Sequence, residues 1–246
     1  YDNGKLFYGS LDGKVYALNA ADGSLLWSFA TRAPVVSAAT VVNGIVYIGS
    51  NDKRLYALNA SSGAKVWEFL TGGPVVSSPA VVNGKVYFGS EDVKARCVDA
   101  ATGQLLWETQ LTGTGMRNTH PVVSDLYPVV VFTTIKPGAS SYTPLDSYPN
   151  ASDSADPVVT WNTYYKANPS FRTLFYLDSN SGADKWDSTN RRFVPLPLPY
   201  WGLINPILGP DGEAWFPAPA GTAGRTHELD HDNRLFKTNL STGVTV

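Results

Sequence analysis

The residues best suited to chemistry in this 246-residue chain lie in one stretch near the C-terminus. The sequence HELDHD places His227, Asp230 and His231 close together, and imidazole and carboxylate groups are common protein ligands of divalent cations. The spacing of four between the histidines suits a helix, but a Gly-rich and Thr-containing run precedes the segment and a strand-like run follows it. The sequence therefore allows a weak metal site, but we favour the interpretation as a solvated acidic loop.

Few other residues indicate catalysis. The chain has no paired carboxylates, nucleophile elbow, phosphate-binding loop or zinc-type Cys and His spacing. Its one cysteine, Cys97, lies in a strand-like run and cannot form an internal disulfide, so we interpret it as a small buried apolar residue. We predict no catalytic residue from these patterns.

Three triplets match the acceptor pattern for N-glycosylation, at Asn59, Asn150 and Asn239. All three fall in expected turns or loops. A chain with this content of Asn, Ser and Thr should contain roughly two or three such triplets by chance. They are glycosylation candidates that permit a secreted origin without requiring one.

Composition excludes two classes of partner. The net charge is −2, the pI is near 5.9, and no patch of Lys and Arg stands out, so neither nucleic acid nor an anionic membrane is expected to bind. No apolar run is long enough to span a bilayer. Low charge content together with 22 Gly and 17 Pro indicates turn-rich β structure.

A 40-residue repeat organises the first half of the chain. Three segments that begin at Leu6, Val46 and Val86 superpose without gaps. Each repeat holds four short β-rich runs separated by turn signals such as NG, DG and SG. The residues that recur are Gly9, Gly49 and Gly89, then Gly23, Gly63 and Gly103, and finally Trp27, Trp67 and Trp107.

This repeat predicts an all-β fold, a β-propeller of four-stranded antiparallel blades. A lone four-stranded sheet would expose an apolar face, so neighbouring units must pack face to face. About four and a half blades fit a single domain over 1–246, at approximately 1–30 (partial), 31–71, 72–112, 113–188 and 200–246 (partial). Because both ends fall inside blades, we expect part of a larger propeller. The alternative is that the terminal strands complete each other's sheet.

The fourth blade is expanded by an insert at 135–172. Gly182 and Trp186 keep the spacing of the repeat after it. The insert is rich in turn-forming residues and aromatic side chains, so we predict a long loop that is either functional or packed over a sheet edge.

The innermost strand of each propeller blade lines the axial channel, and this places Ala38, Ser78, His120 and Asn205 at one aligned position. The most polar version of that strand is the run from Arg117 to His120. A histidine there is either a ligand-facing group or a hydrogen-bonded structural residue. The channel-lining candidates are Arg117, Asn118, His120 and Asn205.

The runs LNAADGSLLW, LNASSGAKVW and VDAATGQLLW resemble the repeat of the PQQ-binding-like (quinoprotein-type) propeller family. The resemblance covers residues 6–112 strongly and implies that each Trp stacks on the adjoining blade near its Gly-containing turn. It assigns structural roles to Trp27, Trp67, Trp107 and Trp186, and to Gly23, Gly63, Gly103 and Gly182.

The enzymes of that family bind PQQ and calcium in the channel, use an Asp as base and often carry a disulfide of adjacent cysteines. This chain has one Cys and no matching motif. It is therefore closest in kind to noncatalytic members such as the outer-membrane barrel-assembly lipoprotein, and we expect no cofactor.

These observations predict a noncatalytic extracytoplasmic scaffold, extracellular or periplasmic, that binds other proteins or a polymer. One alternative is a fragment of a PQQ-dependent alcohol or sugar dehydrogenase, with PQQ and calcium as cofactors. Another is a subunit of an extracellular assembly, because the unpaired edges of incomplete terminal blades could self-associate.

Overall fold

The structure is a computed structural model, and it describes residues 1–117, 119–135, 157–195, 207–209, 211–219 and 233–245. The chain divides into two compact units by its internal contacts. The first unit holds Tyr1–Gln110 and Gly115–Pro121, and the second holds Leu111–Thr114 and Val122–Val246. Within the described ranges, no helix is long and apolar enough to cross a membrane. The single-domain boundaries given above stay a prediction.

The first unit consists of three antiparallel sheets that follow one another along the chain, here called blades 1, 2 and 3. Blades 2 and 3 have four strands each, as the repeat predicted, and blade 1 has three. The strands are β1 Lys5–Gly9, β2 Lys14–Asn19 and β3 Leu25–Ala30, then β4 Thr40–Val42, β5 Ile45–Ser50, β6 Arg54–Asn59 and β7 Lys65–Leu70, then β8 Ala80–Val82, β9 Lys85–Ser90, β10 Lys94–Asp99 and β11 Leu105–Gln110.

The second unit holds two further antiparallel sheets, blades 4 and 5, each with three strands in the described residues. In blade 4 the outer strand is reduced to a single bridge between Leu177 and Asp184. The elements are β12 Val122–Val123, β13 Val129–Thr133, the helix α1 Pro157–Ala167, a short 3₁₀ turn Pro169–Phe171, β14 Leu174–Asp178, β15 Ile207–Leu208, β16 Glu213–Pro219 and β17 Asn233–Asn239.

Helix α1 lies inside the insert that the sequence predicted as a loop, so that prediction was wrong for these residues. Trp161 and Tyr165 on this helix are buried and pack against Val194. The helical pattern of the segment is weak, and the burial of its aromatic side chains explains why it is helical. Apart from this helix and the short 3₁₀ turn, the prediction of an all-β fold holds for the described residues.

Tight turns join the strands of each blade where the sequence reads Asn-Gly. Asn43 and Gly44 between β4 and β5 have φ angles of 52° and 73°, and Asn83 and Gly84 repeat this with 50° and 73°. Positive φ at both central residues defines the type I′ turn that matches the twist of paired strands. The local sequence therefore fixes the register of the inner strands.

The recurring glycine of the second strand is required by a close approach. A Cβ atom on Gly49 would lie 2.4 Å from the backbone oxygen of Val75, which is too close for any real side chain. The hydroxyl of Ser37 donates to the Gly49 carbonyl oxygen at 3.0 Å and accepts from the Gly49 N–H at 2.8 Å. The Ser37 hydroxyl thus anchors the innermost segment of blade 2 to β5.

The core of the first unit lies between consecutive blades. One cluster joins Val15, Ala17 and Trp27 of blade 1 to Val46 and Ile48 of blade 2. The next cluster repeats this arrangement between blades 2 and 3, with Trp67 in the place of Trp27. Apolar area buried between sheets is therefore what holds the repeats together.

Candidate functional site

The recurrent Trp and Gly residues form a contact between neighbouring blades. The indole N–H of Trp67 donates to the carbonyl oxygen of Ala100 in blade 3 at 3.0 Å. Gly103 has a φ of 72°, and a Cβ atom on it would lie 2.7 Å from Cδ2 of Trp67. The glycine is needed both for its turn and for room to stack the indole.

The same contact joins blades 1 and 2. Trp27 donates to the Ala60 carbonyl oxygen at 3.1 Å, and a Cβ atom on Gly63 would lie 2.7 Å from its ring. Gly23, the corresponding glycine of blade 1, has nothing within 4 Å of its Cβ position. Trp107 is buried as well. The recurrent Trp and the Gly of the next blade therefore pack consecutive blades against each other.

In the second unit the corresponding contact uses different residues. Trp186 donates its indole N–H to Oδ1 of Asn162 at 3.0 Å and lies under the guanidinium of Arg172, 4.6 Å from the ring centroid. The ring that meets the turn of blade 5 is Phe193, at 2.5 Å from the Cβ position of Gly243. Phe193 and Gly243 were not predicted from the sequence, although NLSTG at 239–243 matches NASSG at 59–63 and could have identified Gly243.

The carboxylates that follow β1, β5 and β9 support loops. Asp92 accepts hydrogen bonds from Arg96 at 2.6 and 3.0 Å and from the N–H of Gly72 at 2.9 Å. Burial raises the pKa of Asp92, but Arg96 and the Ser90 hydroxyl more than offset it and hold that pKa at about 2. In blade 2 the corresponding Asp52 accepts from the Tyr56 hydroxyl at 2.7 Å. These carboxylates therefore have a structural role, which is to hold the loops in place.

Two of the three glycosylation candidates are turn residues with a structural role. Oδ1 of Asn59 accepts from the N–H groups of Ser61 and Ser62 at 2.9 and 3.0 Å. Asn239 makes the same pair of bonds with the two residues that follow it by two and three positions. Aspartate replaces asparagine with the same bonding at Asp99 and Asp178. The side-chain oxygen that closes the turn explains the residue type without a glycan. Asn150 lies outside the described residues.

Among the channel candidates, Arg117 and His120 are described and both are exposed. The guanidinium of Arg117 donates to Oε2 of Glu91 at 2.7 Å. Although the His120 residue is exposed, the protein around its imidazole excludes some water, which lowers the pKa of His120 and favours its neutral form. Asn118 and Asn205 lie outside the described residues. The role of Arg117 and His120 as channel-lining residues stays a prediction.

The residues that could hold a cofactor or metal give no site in the described part of the chain. His227, Asp230 and His231 lie outside it, and within it no three His, Cys, Asp or Glu side chains are grouped to hold an ion. Cys97 is fully buried, and burial raises the pKa of its thiol to about 12, so it is a packed apolar residue. That the chain binds no PQQ or calcium stays a prediction, and we derive no chemistry through that pair.

Antiparallel four-stranded sheets docked face to face on a Trp and a Gly define a β-propeller protein of the PQQ-repeat type. The family model described as "Outer membrane protein assembly factor BamB" matches residues 1–188 of the chain, and the chain belongs to that family.

A solved structure of BamB agrees with this fold. The crystal structure of BamB from Moraxella catarrhalis has a TM-score of 0.59 and 14% sequence identity, and the match covers 99% of this chain and 60% of that one. The chain thus spans about 60% of the length of that relative. The computationally designed Ika4 protein matches with a TM-score of 0.49 and 20% identity over 54% of this chain and 81% of its own. No curated protein sequence matches the chain significantly.

Proposed function

We propose that the chain is a noncatalytic scaffold outside the cytoplasm that binds other proteins during the assembly of outer-membrane proteins. The observation that carries this proposal is the family match over residues 1–188. The local geometry supports it, because the recurrent residues pack blades, anchor loops and close turns. Assembly factors need a rigid surface for partners, and stacked blades with exposed loops provide one.

The scaffold displays apolar side chains at the outer strands of its blades. Leu26 is 45% exposed, Val66 48% and Leu106 47%. These positions recur at 40-residue spacing, so they form a repeated feature of the outer edge. Exposed apolar residues that recur in this way are suited to contact with a protein partner. A polymer ligand remains the alternative and would be recognised by polar loop residues.

Restoration of outer-membrane assembly tests this function. The chain, with a secretion leader added, is expressed in a bacterium that lacks its own member of the family. Folded outer-membrane β-barrel proteins are then quantified by their heat-dependent mobility on gels. We expect their level to rise towards that of the parent strain. The same chain without the leader should give no rise.

A matched variant controls for expression. Gly49→Val places a branched side chain against the backbone of Val75 and should leave the chain exported but unfolded, with no restoration. If the unaltered chain is exported and folded and still gives no rise, the proposed function is wrong.

No group of described residues supports the alternative function as a dehydrogenase. The other alternative is a self-associating subunit of an assembly, which predicts large ordered oligomers on sedimentation. A predominantly monomeric chain in the ultracentrifuge would weigh against the self-associating subunit.

A further inference from the structure

The turn between β5 and β6 of blade 2 buries a carboxylate oxygen that has no donor. Oδ2 of Asp52 accepts from the Tyr56 hydroxyl at 2.7 Å and from the Arg32 N–H at 3.0 Å. Its other oxygen, Oδ1, is buried and accepts no hydrogen bond from any described residue, and the same holds for Oδ1 of Asn51 beside it in the chain. A buried carboxylate oxygen without a donor or a positive charge is costly.

Blade 3 shows which group belongs in this place. Arg96 stands 40 residues after Tyr56, and its Nη2 donates to Oδ2 of Asp92 at 2.6 Å, as the Tyr56 hydroxyl does to Asp52. Its Nη1 donates to Ser90 Oγ at 2.8 Å and to Oδ1 of Asp92 at 3.0 Å. The Tyr56 hydroxyl therefore replaces one of two guanidinium nitrogens, and blade 2 has no counterpart of Nη1.

The oxygens around the missing nitrogen are free to hold a cation. Ser50 is 0% exposed, and its hydroxyl donates to the Ala33 carbonyl oxygen at 3.3 Å, which leaves a lone pair on Oγ. The guanidinium of Arg54 donates to the backbone carbonyl oxygen of Asp52 at 3.1 Å and pairs with Glu68 at 3.4 Å. These contacts leave the Asp52 carboxylate without a cationic partner among the described residues.

We propose that this turn binds a monovalent cation such as potassium between Oδ1 of Asp52 and Oγ of Ser50. One carboxylate balances one positive charge, whereas a divalent ion would leave a net charge buried. A cation in the place of Nη1 would lie 2.8 and 3.0 Å from the two oxygens, if blade 2 keeps the distances of blade 3. Magnesium needs about 2.0–2.1 Å and calcium about 2.3–2.6 Å. With a single carboxylate, the site differs from the groups of His, Cys, Asp and Glu considered above.

The cation strengthens the junction between blades 1 and 2. Asp52 already binds the Arg32 N–H, and the Asn51 N–H donates to the Pro34 carbonyl oxygen at 2.9 Å. Both bonds join the turn of blade 2 to the segment that leaves blade 1. A cation that neutralises the carboxylate removes the cost of holding it there. This role is independent of the partner binding proposed above.

Unfolding in two salts tests the site on the intact chain. Urea unfolding is followed by circular dichroism in potassium chloride and in choline chloride of the same ionic strength, because choline is too large for the site. The unfolding equilibrium constant should be about tenfold lower in potassium, the effect of a ligand at about ten times its Kd. Calcium chloride of matched ionic strength should give no such gain. Equal stability in potassium and choline, or a gain with calcium alone, would overturn the proposal.

Tyr56→Arg is a matched variant that supplies its own cation. It rebuilds the arrangement of blade 3, where Glu108 accepts from Nε of Arg96 at 3.1 Å, and Glu68 stands at the position of Glu108. The difference between potassium and choline should shrink to less than about twofold. A full difference in this folded variant would refute the site.

Asp52→Asn keeps the test decisive if an arginine at position 56 prevents folding. The amide oxygen still accepts from the Tyr56 hydroxyl, but the negative charge is gone. This variant should lose the potassium effect and should be at least as stable as the unaltered chain in choline chloride. A carboxylate with only a structural role predicts the opposite, which is lower stability in both salts and an unchanged potassium effect.

Diffraction locates the bound ion directly. A crystal of the chain grown with rubidium chloride, as an analogue of potassium, should show anomalous density between Oδ1 of Asp52 and Oγ of Ser50. If the potassium effect is present but the density lies elsewhere or is absent, the cation is not bound by this turn and the assignment is wrong.

Discussion

The indole nitrogen of Trp67 and the carbonyl oxygen of Ala100 lie 3.0 Å apart and join blade 2 to blade 3 by a hydrogen bond. Trp67 is buried, with a relative exposure of 8%. The residue combines a large buried apolar surface with a satisfied polar group, and both disappear when it is truncated.

Trp67→Ala should therefore lower the free energy of unfolding by about 3–5 kcal/mol. Val66→Ala, on the same strand but 48% exposed, is the control and should cost less than about 1 kcal/mol. Urea unfolding followed by circular dichroism measures both. Similar small losses at the two positions would contradict the role of the indole between blades.

The two glycines at the close approach should differ in their tolerance of alanine. A Cβ atom on Gly49 meets the backbone oxygen of Val75 at 2.4 Å, whereas one on Gly89 meets the end of the flexible Met116 side chain at the same distance. Backbone cannot move aside as a methionine can. Gly49→Ala should cost about 2–3 kcal/mol and Gly89→Ala less than about 1 kcal/mol. Equal losses of melting temperature would refute this difference.

Val93 has a conformation that suits glycine better. Its φ is +59°, in the turn between β9 and β10, and the corresponding residue of blade 1 is Gly13 with a φ of 81°. A β-branched residue is strained there. Val93→Gly should raise the free energy of unfolding by about 1 kcal/mol, and Lys53→Gly, at φ 70° but unbranched, should gain less. An unchanged or lower denaturation midpoint for Val93→Gly would count against this strain.

Acid should weaken the fold through Asp92. The pKa of this carboxyl is lowered from 3.8 to about 2 in the folded chain, so the stabilisation is complete above the unfolded pKa and is lost as the pH falls from about 4 towards 2. The lost stability is about 2 kcal/mol. Asp92→Asn should be less stable at neutral pH and should lack this part of the acid dependence. An identical acid dependence in both proteins would show that Asp92 does not cause it.

Much of the fold was predictable because the repeat encodes it locally. Asn-Gly turns set the hairpins, and the spacing of Gly63 and Trp67 identified the turn and the strand that follows it. The four-stranded antiparallel blade, the propeller class and the family followed from these patterns and are confirmed.

The second unit shows where such local patterns fail. Trp186 has the right spacing but packs against Arg172 and Asn162, and Phe193 occupies the contact with Gly243. Helix α1 was missed because the burial of Trp161 and Tyr165, not local periodicity, stabilises it.

Our central proposal is that this chain is a scaffold and not a quinoprotein enzyme. Its most direct test is to incubate the purified chain with PQQ and calcium ions, remove free cofactor by gel filtration, and add alcohols or sugars with an electron-accepting dye. We predict that the protein fraction retains no quinone absorbance and that the dye is not reduced. Retained quinone absorbance together with substrate-dependent dye reduction would contradict the claim.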